Sequence, residues 1–387
     1  MAGLYIHVPF CARACPYCDF DFRVGRDPAA EAFIRGLERE RAQRMELADK
    51  SSGTWPEDQV FATVYLGGGT PSLLGPAGLA ALASWLRAHF PGAGREETTV
   101  EVNPEHADAA LAAAIRELGG TRVSLGVQTF AVDGLASLGR VHTADEARRS
   151  IATMRAAGLA VSVDLIVGWP GQTPESLAED VAVLLGEGAE HVSIYALTVE
   201  SGTPWEALVR RGKRRLPDPD HQADMLLAAE AALTAGGLAH YEVASYAAPG
   251  REARHNLGYW TWRDYVGLGP SAHSAVYAAD GAVVRRGNPR GLDAWLADPR
   301  GEVEDLTPLA AAVEGLWTGL RHLPGLDLAA YLARFPAVDR AFVAARTRRQ
   351  VERGNLELGP DRLRVAPGRW LWHDAIAADL LAPRRGE

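Results

Sequence analysis

Between residue 3 and about residue 247 the chain alternates short apolar runs with longer charged segments of helical period. No other feature constrains the fold as much. The runs are LYIHVP (4–9), VFATVYLG (60–67), TVEVNP (99–104), RVSLGVQ (122–128), VSVDLIVG (161–168) and HVSIYALT (191–198). Helical patterns lie between them at 29–45, 79–89, 107–118, 144–157 and 174–185. Strands buried on both faces read as near-continuous Val/Ile runs, and parallel neighbours need a crossover of helix length. At least six such units predict an α/β fold, a full or partial (β/α) barrel, although no sequence repeat is visible.

Active sites of such barrels lie at the C-terminal ends of the strands, and the unusual residues of this chain fall there. CARACPYCDF (11–20) follows the first run and carries all three cysteines, Cys11, Cys15 and Cys18. GGGTP (67–71) follows the second, with Gly68, Gly69 and Thr70. Glu101 closes the third, Gln128 the fourth, Asp164 sits within the fifth and Ala196 ends the sixth.

Three thiolates on one tight loop can hold three irons of a cubane 4Fe–4S cluster and leave the fourth iron open to an exogenous ligand. A Cys3His zinc site with His7 is the other reading of the spacing. An odd, low cysteine count argues against a disulfide framework. Glycines after a strand let a ligand approach the backbone, though they equally make a tight turn. Arg140 can pair with a carboxylate, and Glu101 or Asp164 can accept from hydroxyl or ammonium groups.

With 47% hydrophobic and 23% charged residues the composition is that of a globular protein. A net charge of -9 argues against nucleic acid as the main partner. The basic run RRGKRR (210–215) reads as a solvated loop, within a loop-like stretch at 202–220. No apolar run is long enough for a transmembrane helix, and the chain enters structure at Leu4 without a signal segment. Free cysteines placed for a reducible cluster fit a cytoplasmic setting.

After the sixth run the pattern loosens. A helix is expected at 222–235, a further strand at 241–247, and then a long aromatic segment at 255–274. A composition change near 298–305 predicts a division into residues 1–300 and a cap of residues 301–387. The cap reads as helices at 308–320, 326–335 and 341–353, a hairpin at 356–365 and a last helix: a small winged-helix-like α+β domain. Its faces are not notably basic, which favours packing or a lid role over DNA binding.

The motifs YIHVPFCARACPYCDF, GGGTPS, VEVNPE, SLGVQTF, LGRVHT, VDLIVGWPGQT and SIYALT resemble the oxygen-independent coproporphyrinogen III oxidase-like family of radical S-adenosylmethionine (SAM) proteins. The resemblance runs from about residue 5 to 274 and extends to the cap. It implies a partial (β/α) barrel of radical SAM type, a 4Fe–4S cluster on Cys11, Cys15 and Cys18, and SAM. It places Tyr5, Gly68, Gly69, Thr70, Glu101, Gln128, Arg140, Asp164 and Ala196 at SAM-contacting positions.

Two departures separate the chain from the true oxidases. Phe20 stands where they carry a fourth cysteine, and only ten residues precede Cys11. Both features resemble the heme chaperone branch, as does HNLGYW (255–260), which matches its HNxxYW signature. The branch implies heme bound at His255 beside Tyr259 and Trp260, and delivery to acceptor hemoproteins, whose membranes would offer peripheral contact. A neutral His can ligate heme iron and aromatic rings can pack on a porphyrin, or His255, Asn256 and Tyr259 can simply close the barrel mouth. The alternatives are radical decarboxylation of coproporphyrinogen III, and a radical methyltransferase or heme-cleaving activity. The sequence leaves SAM cleavage and a homodimer open.

Overall fold

The computed structural model describes residues 1–48, 60–215 and 218–383. Six strands, Ala2–Val8, Phe61–Gly68, Glu97–Val102, Arg122–Gln128, Ala160–Val167 and His191–Ala196, lie side by side in chain order and pair in parallel. Helices Ala30–Ala48, Gly75–His89, Ala109–Leu118, Ala144–Ala156 and Pro174–Gly186 make the crossovers. The two edges do not meet, so the barrel is partial. At one edge Tyr265–Leu268 adds a seventh parallel strand against Ala2–Val8. The sheet then continues through antiparallel strands His273–Tyr277, Val283–Gly287 and Glu302–Leu306. At the other edge Ser245–Ala247 runs antiparallel to the sixth strand.

Alternation along the strands sorts the side chains. Leu4, Ile6 and Val8 are fully buried in the core with Phe33, Leu37, Leu79 and Leu82 of the first two helices. Successive strand residues point to opposite faces, so Tyr5 and His7 lie on the concave side. Burying that many large aliphatic side chains at about 1.5–3 kcal/mol each is what holds the barrel together.

The loosened region differs from expectation in three places. Residues 204–210, expected as loop, form helix Pro204–Arg210, capped by the Thr203 hydroxyl, with its own Trp205 fully buried. Part of the basic run packs there: Arg214 donates to Ser137 Oγ at 2.8 Å and stacks 4.9 Å from the Trp205 ring. The strand expected at 241–247 is a hairpin, Ala239–Glu242 and Ser245–Ala247, because the chain turns back to pair with the sixth strand. The helix expected from 326 starts at Leu328: Leu326–Asp327 is a strand, and Asp327 caps the helix by accepting from Ala330 N at 2.9 Å.

Beyond Leu306, helices Pro308–Gly319, Leu328–Arg334, Arg340–Glu352 and His373–Leu381 surround a three-stranded sheet of Leu326–Asp327, Arg362–Val365 and Leu356–Leu358. This is the winged-helix-like α+β cap. Its core of Leu316, Tyr331, Phe335, Val343, Leu363 and Ile376 is continuous with Trp262, Ala275 and Val283 of the antiparallel extension. The large sheet therefore runs past position 300, through Glu302–Leu306, before the cap begins. No helix among the described residues is long and apolar enough to cross a membrane.

Candidate functional site

The cysteine loop hangs from the end of the first strand and is pinned at both ends. Phe10–Cys11 pairs with Arg23–Val24, and the glycine segment binds its base through Gly69 N to Val8 O (2.9 Å) and Thr70 N to Phe10 O (2.7 Å). A Cβ on Gly69 would stand 2.8 Å from both carbonyls. Glycine is required here first for the approach of the second strand to the loop.

Cys11, Cys15 and Cys18 are free and partly buried. Cys11 Sγ lies 3.4 Å from Thr70 Oγ1, and Arg140 Nη1 is 3.7 Å from Cys15 Sγ. Burial pushes the Cys11 and Cys18 thiols up to about 11; binding an electrophilic metal would displace those protons. Among the described residues no three or more His, Cys, Asp or Glu side chains are already gathered as a metal cage. The thiols share one wall rather than a preformed site. His7 does not complete a zinc tetrahedron. Its Nε2 bonds Asp21 O at 2.7 Å and its Nδ1 bonds Tyr5 Oη at 3.1 Å.

That wall faces a cavity of about 450 Å³ at the C-terminal ends of the parallel strands. Gly68, Gly69 and Thr70 line it, as do Glu101, Gln128, Arg140, Asp164 and Ala196. Eight of the ten cofactor-binding residues expected from the sequence thus stand round one space with the three cysteines. Glu101 accepts from Tyr65 Oη (2.9 Å) and Gly68 N (3.0 Å), and Asp164 accepts from Ser124 Oγ (2.9 Å). Burial raises both carboxyls, Glu101 to about 7 and Asp164 to about 6. Arg140 donates to Asn103 Oδ1 (2.8 Å) and Gly126 O (2.9 Å), reaching from those strand ends to Cys15.

Gln128 is held in the left-handed region (φ 70°) where the register shifts between the fourth and fifth strands. Such strain persists where the surroundings impose it and often marks a functional site. Here Gln128 leaves Oε1 buried without a partner on the cavity wall, as Thr99 Oγ1 and His191 Nδ1 also are. Unpaired buried polar atoms round a polar cavity fit a ligand rich in donors and acceptors.

A second cavity, of about 1200 Å³, adjoins the first and shares Asp19, Phe20 and Gly68 with it. It lies between the first strand, the antiparallel extension and helix Pro308–Gly319 of the cap, with Tyr5, Tyr265, His273 and Tyr277 on its walls. Tyr5 faces this space rather than the first cavity.

HNLGYW forms helix Arg254–Trp260 between the two cavities. Asn256 lines the smaller, Tyr259 and Trp260 the larger. His255 lines neither. It is 3% exposed, with Nδ1 2.9 Å from Thr63 Oγ1, Nε2 2.9 Å from Tyr259 Oη and its amide donating to Glu97. Burial lowers it to about 3, keeping the ring neutral. The structure thus gives it the bonds of a structural histidine, unlike the heme contact expected from the motif.

Sequence reasoning passed over Tyr65, Asn103, Ser124 and Ser193, which bond or line the smaller cavity. The signal was present: each is a polar residue within or just after an apolar strand, and Glu101, Ser124 and Ser162 stand in register across three neighbouring strands. His273 and Arg290 of the larger cavity carried no comparable signal.

The Radical SAM superfamily profile matches residues 5–184. A heme chaperone HemW of Mycobacterium tuberculosis is 37% identical over 381 residues, covering 98% of this chain and 94% of its own. The heme chaperone HemW of Bacillus subtilis is 32% identical over 84% of this chain and 85% of its own. Among solved structures, coproporphyrinogen III oxidase (HemN) from Escherichia coli superposes with a TM-score of 0.80 at 21% identity, over 98% of this chain and 89% of that one. That likeness is one of fold.

Proposed function

We propose, from the premise that this chain belongs to the heme chaperone HemW family of the radical SAM superfamily, that it binds heme and delivers it to acceptor hemoproteins. On this reading Cys11, Cys15 and Cys18 hold a 4Fe–4S cluster, SAM occupies the smaller cavity, and the work is done in the cytoplasm. The observation that carries it is the pairing of two cavities across Phe20 and Gly68. One is walled by all three cysteines of the chain, the other is larger and carries Tyr259, Trp260, Tyr265 and Tyr277.

The residues fit such occupants by their chemistry. A bound cluster would supply one-electron chemistry at the iron that the thiols leave open. Thr70 and Arg140 would donate to sulfur, which tunes such a cluster. Ionised Asp164 and Glu101 would accept from hydroxyl or ammonium groups, and Arg140 would meet a carboxylate. Gln128, Thr99 and His191 have unspent hydrogen-bonding atoms for the remainder.

The test is one anaerobically reconstituted sample, titrated with hemin by absorbance and assayed for coproporphyrinogen III turnover with SAM. The expected result is stoichiometric heme binding without turnover, followed by transfer to an apo-hemoprotein. Turnover to protoporphyrinogen would make the protein an oxidase despite Phe20. Absence of heme binding would overturn the proposal.

A further inference from the structure

Resting on that reading, we propose that heme sits in the larger cavity with His273, rather than His255, as the axial ligand to iron, and Arg290 as the partner of a propionate. At about 1200 Å³ the space exceeds the ~300–1000 Å³ usual for drug-sized ligands, as a macrocycle requires. Tyr259, Trp260, Tyr265 and Tyr277 give it aromatic walls, and Phe20, 61% exposed, stands at its junction with the cluster loop. Large rings of this kind supply apolar contact to a porphyrin face. Trp260 also keeps a buried indole N–H without a partner.

His273 is exposed on that wall, and among the described residues neither ring nitrogen makes a hydrogen bond. Its cross-strand neighbour is Gly287, where a Cβ would stand 3.0 Å from His273 Nε2. The missing side chain leaves the imidazole its room. His255 would have to give up its bonds to both Thr63 and Tyr259 before either nitrogen could reach a metal.

The cations on the same wall separate in the same way. Arg285 is neutralised by Glu304 and Glu314, and Arg300 by Asp298. Arg290 bonds the Asp19 carbonyl at 2.6 Å and has no carboxylate partner among the described residues. A heme propionate would supply one.

The step is a dative bond. A neutral imidazole nitrogen gives its lone pair to ferric iron in place of the water or chloride that hemin brings, with no change of oxidation state. Hemin titration of wild type, His273→Ala and His255→Ala, followed by absorbance and electron paramagnetic resonance, tests it.

His273→Ala is expected to bind about tenfold more weakly and to lose the nitrogen-ligated spectrum, with free imidazole restoring that spectrum. The rescue separates a lost ligand from a lost fold. His273→Ala with wild-type affinity and spectrum, or loss of the signature only in His255→Ala, would overturn the assignment while leaving the chaperone reading intact. A wild-type chain that binds no hemin would overturn both. For Arg290, wild type is expected to prefer hemin over its dimethyl ester and Arg290→Gln to lose that preference. An unchanged preference would remove Arg290 from the site.

Discussion

The two cavities share a wall but are built in opposite ways. Around the smaller one the side chains come mainly from the C-terminal ends of parallel strands and the loops that follow, each delivered by its own β/α unit. Around the larger one they come from an antiparallel extension, the HNLGYW helix and the cap. That arrangement exists only because Tyr265–Leu268 returns to pair with Ala2–Val8 at the other end of the chain. The first has three cysteines and the buried carboxylates Glu101 and Asp164; the second has Tyr259, Trp260, Tyr265 and Tyr277 and an unengaged histidine. Local chain order writes the first site, and long-range pairing writes the second.

The strongest way to break this comparison is to remove the cysteine loop's thiols. The triple variant Cys11→Ala, Cys15→Ala, Cys18→Ala is expected to lose its reconstituted iron and sulfide entirely, from about four of each per chain. Yet no cysteine lines the larger cavity, so the nitrogen-ligated hemin spectrum should persist, weakened only a few-fold through the neighbouring Asp19 and Phe20. Iron and sulfide analysis beside a hemin titration gives the answer. Joint loss of both cofactors would mean one site rather than two.

Two core substitutions sharpen the contrast on the scale of stability. Arg122 donates to Glu97 (2.9 Å), to Ser162 Oγ (2.9 Å) and to the carbonyls of Arg251 and Glu252 just before the HNLGYW helix. Glu97 in turn holds the His255 amide. Arg122→Met strands a buried carboxylate and is expected to cost about 3–5 kcal/mol in denaturant unfolding, and to weaken both sites. Phe335→Ala empties a fully buried position of the cap core and should cost about 3 kcal/mol. Because the cap lines only the larger cavity, this variant should bind hemin more weakly at unchanged cluster content.

That asymmetry also explains what could be read from the chain. The parallel strands were legible because strands buried on both faces are nearly continuous apolar runs, and the polar exceptions Glu101, Gln128 and Asp164 line the smaller cavity. The cysteine spacing and the glycines following the second strand fell into place for the same reason. The hairpin at Ala239–Ala247 was not legible, since a short apolar run does not state which neighbour it pairs with. His255 drew attention through its motif, although its hydrogen bond to Thr63, 192 positions away, arises only when distant segments meet. His273 stayed hidden because a polar residue at the start of an antiparallel strand is ordinary in sequence; its meaning comes from Gly287 opposite and the cap beyond.

The smallest predicted effect concerns protonation inside the first cavity. Burial holds Glu101 at about 7 against an ordinary 4.5, with Asp164 adding to the rise and the bonds from Tyr65 and Gly68 opposing it. Between about pH 4.5 and 7 the folded chain therefore keeps a proton that the unfolded chain has released, so stability falls as pH rises through that window. His255 and His191, held neutral down to about 3 by burial, act in the opposite direction, losing stability as pH falls below 6.5. The wild-type curve alone mixes these effects, but its difference from Glu101→Gln isolates one. The variant is expected to gain on wild type by on the order of 2 kcal/mol from pH 5 to 7.5 and to hold that gain above it. Denaturant unfolding of both chains across that range measures the gap. A gap that stays flat would mean that Glu101 ionises as an ordinary carboxylate, and that the smaller cavity is wetter than its walls imply.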